Sequence, residues 1–111
     1  MKDWGRVEIC SMIVVSTGHI PEKAAKLLER KHRNSDDIYE ADDHWINDLN
    51  IGTSEYGYFI SVTSLGRRVK EEKDVEDWIK ETYEFCAEIG ASWIHYDQDA
   101  DIVDNLRYYN W

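Results

Sequence analysis

The chain is poor in several things, and each shortage narrows what it can be. Its 111 residues include one proline and six glycines. No Pro- or Gly-rich linker therefore divides it, and the length suits a single domain over residues 1–111. The two cysteines, Cys10 and Cys86, form no CxxC pair and have no metal-ligand spacing. That argues against a zinc site or a disulfide framework and leaves two reduced core thiols as the expectation. No apolar run approaches the ~20 residues of a membrane span, and Met1-Lys2-Asp3-Trp4 does not read as a signal peptide. The expected setting is soluble and cytoplasmic, with no membrane partner.

Basic residues are the scarcest relative to need. Thirteen Lys and Arg face 23 Asp and Glu, for a net charge of −10. The shortage deepens along the chain: residues 1–35 hold seven basic and four acidic side chains, residues 36–70 three and seven, residues 71–111 three and twelve. Such a field repels phosphate backbones and anionic lipid, which argues against direct nucleic-acid binding. It favours basic surfaces instead, including those that normally hold DNA or RNA.

Aromatics, by contrast, are plentiful: 13% of the chain, with five Trp and seven Tyr. That content argues for a packed core and against disorder. Arg6 to Thr17 reads as a buried strand, with apolar residues on both phases. Ser16-Thr17-Gly18 breaks it, and Pro21 opens a helix to about Arg33 whose apolar stripe is Ala24, Ala25, Leu27 and Leu28. Ile38 to Ala41 suggests a short strand. Asn50 to Ser54 has the composition of a loop. Tyr56 to Thr63 alternates as a strand, and Gly66-Arg67-Arg68 reads as a turn. A second helix carries Val75, Trp78, Ile79, Tyr83, Cys86 and Ile89, with Asp74 as N-cap and Gly90 as its stop. Strand Ala91 to Tyr96, an acidic turn Asp97 to Asp101 and an extended tail Ile102 to Trp111 complete the chain. This β-α-β-β-α-β order predicts an α+β, ferredoxin-like antiparallel sheet with two helices on one face and a C-terminal extension.

Three clusters are candidates for function. Asp36, Asp37, Glu40, Asp42 and Asp43, with Trp45 among them, form an acidic run that could steer and anchor a basic partner. Asp97, Asp99 and Asp101 form a second acidic patch. Its D-x-D-x-D spacing resembles the start of a calcium loop, but Ile102 and Tyr108 stand where Gly and Glu are needed. An exposed acidic turn is the simpler reading, with weak Mg²⁺ or Ca²⁺ binding as the alternative and no metal site assigned. Ser16, Thr17 and His19 sit where a strand hands over to a helix, a place that can hold an anion or position a general acid or base. The alternative there is a simple helix cap. No convergent second catalytic group is visible, and nothing calls for a cofactor.

Ile13-Val14-Val15-Ser16-Thr17-Gly18-His19-Ile20, Tyr56-Gly57-Tyr58-Phe59-Ile60-Ser61-Val62 and Trp93-Ile94-His95-Tyr96-Asp97-Gln98-Asp99 carry a resemblance. With the closing Ile102-Val103-Asp104, Leu106 and Tyr109-Asn110-Trp111, they resemble a group of small uncharacterised domains carried by bacterial plasmids and phages. The resemblance implies no catalytic residue. It implies a mobile-element setting, in which small acidic proteins block host defence machinery, anti-CRISPR and anti-restriction proteins among them. The leading expectation is thus a non-enzymatic protein that occupies a basic nucleic-acid-binding site. A small enzyme or ligand-binding domain at Ser16-Thr17-Gly18-His19 is the alternative. Aromatics on both phases of the strands add the expectation of a homodimer through the sheet, unless the tail covers that face.

Overall fold

The computed structural model describes residues 9–33, 49–55, 57–71, 75–109 and 111. The fold is α+β. Its elements are β1 (Met12–Ser16), a 3-10 turn (Thr17–His19), α1 (Glu22–Arg33), β2 (Ile51–Ser54), β3 (Gly57–Ser61), α2 (Val62–Glu71), α3 (Asp77–Ile89) and β4 (Trp93–Asp97). The suggested strand at Ile38 to Ala41 lies outside the described residues.

The sheet runs β1-β4-β3-β2. β1 pairs with β4 in parallel, while β4–β3 and β3–β2 are antiparallel. This mixed order departs from the ferredoxin-like arrangement, which would place β1 inside the sheet. Burial follows the exchange. β4 carries Ile94 and Tyr96, both wholly buried, whereas β1 contributes one fully buried residue, Val15. The interior strand holds the larger wholly buried side chains, and β1 lies at the edge.

Register then sorts the two faces. Ile13, Ile94, Ile60 and Ile51 align across the sheet, as do Val15, Tyr96 and Tyr58. These residues pack with Ala24, Leu27 and Leu28 of α1, Val62 and Leu65 of α2, and Trp78, Ile79 and Cys86 of α3. All three helices therefore bury on one side. The opposite side holds Met12, Val14, Phe59, Trp93 and His95, and there Met12 is 47% and Val14 49% exposed. β1 was expected to be covered on both faces; among the described residues only one is.

Two segments read as irregular are regular. Ile51–Ser54 is an edge strand because it pairs with β3, and the Phe59 ring lies where a Gly52 side chain would be. A poor strand former is tolerated when a cross-strand aromatic fills its gap. Gly66-Arg67-Arg68 lies inside α2, not in a turn. Val62, Leu65 and Val69 give that helix a buried stripe, and Gly66 lets it approach α3, where an added Cβ would sit 2.6 Å from the Tyr83 ring. Val62 and Thr63 accordingly belong to α2, and Ser61 precedes them as the residue accepting the Ser64 N–H.

α3 matches its apolar spacing. Asp74 lies outside the described residues, and the residue flanking the first turn is Glu76, which makes no side-chain capping bond. Gly90 ends the helix in the left-handed region at φ 85°, where its N–H and that of Ala91 both reach the Cys86 carbonyl. Glycine adopts that conformation without Cβ strain. The cysteines are not joined. Cys86 is buried, but Cys10 precedes β1 and is exposed, so only one is a core thiol.

Candidate functional site

The strand-to-helix junction at the end of β1 is closed by hydrogen bonds from several parts of the chain. Ser16 caps the 3-10 turn, its hydroxyl accepting the Gly18 N–H at 3.0 Å. The Ile20 N–H donates to the Thr17 carbonyl, and the Ser16 N–H to the carbonyl of Asp101. Several of the N–H groups that might have gripped an anion are thus already committed within the chain. α1 starts cleanly behind Pro21, whose carbonyl accepts the Ala25 N–H.

His19 is 2% exposed. Its Nε2 accepts the Val103 N–H at 3.0 Å, and its Nδ1 lies 2.9 Å from the Arg107 carbonyl oxygen. A carbonyl can only accept, so Nδ1 carries the proton and donates. The ring is therefore the neutral Nδ1–H tautomer with both nitrogens occupied. In this arrangement neither nitrogen is available to relay a proton, and the imidazole acts as a clasp for the tail. Tyr109 adds an N–H bond to the Gly18 carbonyl, and the Trp111 indole N–H donates to the Ile20 carbonyl at 2.8 Å. Val103, Leu106 and Tyr109 complete the core from this side. The tail does fold back, but onto the end of the sheet and the helical layer, leaving Met12 and Val14 exposed.

The acidic candidates divide. Asp36, Asp37, Glu40, Asp42, Asp43 and Trp45 lie outside the described residues. Asp97 ends β4, and its carboxylate accepts the Asp99 N–H at 2.8 Å, shaping the turn in the manner of an Asx motif. Asp99 and Asp101 are exposed beside it. No group of His, Cys, Asp and Glu that could hold a metal occurs among the described residues. No helix among them is long and apolar enough to cross a membrane.

A family model described as "Family of unknown function (DUF5983) C-terminal domain" matches residues 12–111. The chain belongs to that family. No curated protein and no solved structure matches it. In this DUF5983 domain the family match begins where β1 begins and takes in the junction, the sheet and the clasped tail.

Two features escaped the sequence reading. The first is an acidic ridge on α3: Asp77, Glu81, Glu84 and Glu88 recur at helical spacing, with no basic residue in the last turn. Arg107 reaches Glu81, while Asp77, Glu84 and Glu88 are exposed. Steps of four, three and four are written in the sequence, overlaid by the apolar stripe of the same helix. The second is a cavity of about 520 Å³ at the end of β1, which Thr17 lines together with α1, the β2–β3 hairpin and Trp111. It was not legible, since its lining is gathered from segments far apart in the sequence.

Proposed function

We propose that this DUF5983 domain is a non-enzymatic acidic binding protein of a mobile genetic element, acting in the cytoplasm. Its role is to occupy the basic, nucleic-acid-binding site of a host defence protein, in the manner of anti-CRISPR and anti-restriction proteins. The observation that carries this reading is the charge: 23 acidic against 13 basic residues, a net −10. The partner surface is basic, and neither nucleic acid nor membrane is bound directly.

The proposed contacts are Asp36, Asp37, Glu40, Asp42, Asp43 and Trp45, with Asp97, Asp99 and Asp101 as a second patch. The α3 ridge extends them. Asp77 to Glu88 covers about 16 Å of helix, along which Asp77, Glu84 and Glu88 offer exposed carboxylates on one side. The internal bonding of His19 supports a binding role over the alternative of an enzyme centred on Ser16, Thr17 and His19. The uncovered sheet face supports a homodimer, in which Met12, Val14 and their aromatic neighbours pair across a two-fold axis.

Affinity capture from the native host, followed by titration of the captured partner, tests the reading. Association should weaken steeply as salt rises, because exposed charges are screened beyond about 8–10 Å at physiological ionic strength. Reversing Asp42 and Asp43 to Lys should slow association while leaving the melting temperature in place. An affinity that stays flat from low to high salt would overturn it. Sedimentation at micromolar concentration tests the dimer, and a 13.1 kDa species that shows no trend on dilution would exclude it.

A further inference from the structure

We infer that the cavity at the end of β1 is a receptor for a guanidinium group, presented as an arginine side chain of the partner. The cavity holds about 520 Å³, within the range of small-ligand sites. Its lining residues include two acidic ones, Glu29 of α1 and Glu55 of the hairpin, and two aromatic ones, Tyr58 and Trp111. Acidic and aromatic residues lining one cavity both favour a cation. The ring quadrupole presents its negative face, and the carboxylates supply full charge. The one cationic side chain in the lining, Lys26, reaches back to Glu22 at 3.2 Å. Its charge is therefore partly answered from outside the cavity.

Trp111 is held in place for such a role. Its indole N–H is fixed on the Ile20 carbonyl, yet the residue is 55% exposed. An anchored aromatic with much of its surface open costs little entropy to use as a wall. A planar guanidinium suits this lining better than a compact ammonium, because it can stack on a ring while its N–H fork meets a carboxylate. The inference rests on the proposed function only in assigning the guanidinium to a protein partner. The cation chemistry stands on the lining alone.

The test uses the full chain and small probes. N-acetyl-arginine methylamide is titrated while the Trp111 indole N–H and Tyr58 ring signals are followed by NMR. N-acetyl-citrulline methylamide, the neutral isostere, serves as the control. The arginine probe should shift both signals saturably, and the citrulline probe should bind about tenfold more weakly or worse. Glu55→Gln, a change at an exposed position, should weaken the arginine probe while leaving the NMR spectrum of the free protein otherwise intact. Equal binding of the two probes, or no saturable shift, would overturn the inference. Unchanged affinity in both Glu55→Gln and Glu29→Gln would do the same. Tighter binding of free L-arginine than of the capped probe would overturn the assignment to a protein side chain. These results are independent of the salt titration above. Probe binding without salt-sensitive partner binding counts against the proposed function alone, and the reverse counts against the cavity alone.

Discussion

The junction closed by the tail and the sheet face turned away from the helices treat their side chains in opposite ways. At the junction, Ser16, His19 and Trp111 all use polar side-chain atoms on backbone groups. On the open face, Phe59 meets Trp93 and His95 edge-on at 6.0 and 5.9 Å, while Met12 and Val14 remain half exposed. The histidines make the contrast concrete. His19 is a buried fastener that spans 84 and 88 residues of sequence to reach Val103 and Arg107, whereas His95 lies partly exposed on the open face. Side chains consumed in holding the fold together are poor candidates for recognition. Those that reach solvent on an exposed face are better ones.

The largest expected effect lies at the junction. His19→Ala removes two hydrogen bonds and strands the Val103 N–H and Arg107 carbonyl, so it should cost about 2–4 kcal/mol. Thermal unfolding would register this as a drop of roughly 10 °C or more. A His19→Ala protein that melted like the parent but had lost its biological activity would invert the comparison and make the junction the working site.

The helical side of the sheet should respond to alkali. Burial raises the Cys86 thiol from its ordinary 9.0 to about 11. Unfolded chains release that proton near the ordinary value while the folded chain retains it. Stability is therefore intact below about pH 9 and falls as pH climbs toward 11. Tyr96, raised chiefly by burial, continues the trend in the same direction. Denaturant titrations between pH 7 and 11 should show the decline, and Cys86→Ala should flatten it over the thiol's range. Cys10, exposed, should alkylate in the native protein, with Cys86 following only on unfolding.

A smaller effect separates the two hydroxyls of the junction. Ser16→Ala removes the cap of the 3-10 turn and should cost about 1 kcal/mol, with Thr17→Ala costing less. Equal losses in chemical denaturation would mean that the Thr17 hydroxyl also stabilises the turn.

Local periodicity made α1, α3, β3 and β4 legible, because each carries an apolar spacing that its own neighbours fix. The Gly90 stop was legible for the same reason. What failed depends on distant partners. β2 looks like a loop until Phe59 covers Gly52, and α2 looks like a turn until Gly66 meets Tyr83. The exchange of β1 and β4 depends on how four strands pair with one another, which no single segment reveals. At the site, the sequence drew attention to Ser16, Thr17 and His19 and to a cap. It could not show that the His19 nitrogens meet residues 103 and 107, since that depends on how the tail returns.

The finest test compares neighbours on one strand. Val14 and Val15 are adjacent and chemically identical, but Val14 is 49% exposed on the open face and Val15 is 1% exposed beneath the helices. Replacing either with Thr keeps the β-branched shape and swaps a methyl for a hydroxyl. At Val15 that hydroxyl enters the core, with a cost of about 1–3 kcal/mol. At Val14 it meets water, and the change should stay within about 0.5 kcal/mol. That small value should itself depend on concentration if two sheets pair. Association stabilises the folded state by mass action, so a hydroxyl at a paired face lowers the melting point more as protein concentration rises. Melting curves of Val14→Thr and the parent across a hundredfold dilution therefore read out the use of the face. A constant gap between them would mean that Val14 faces water at every concentration, and the paired-sheet dimer would fall.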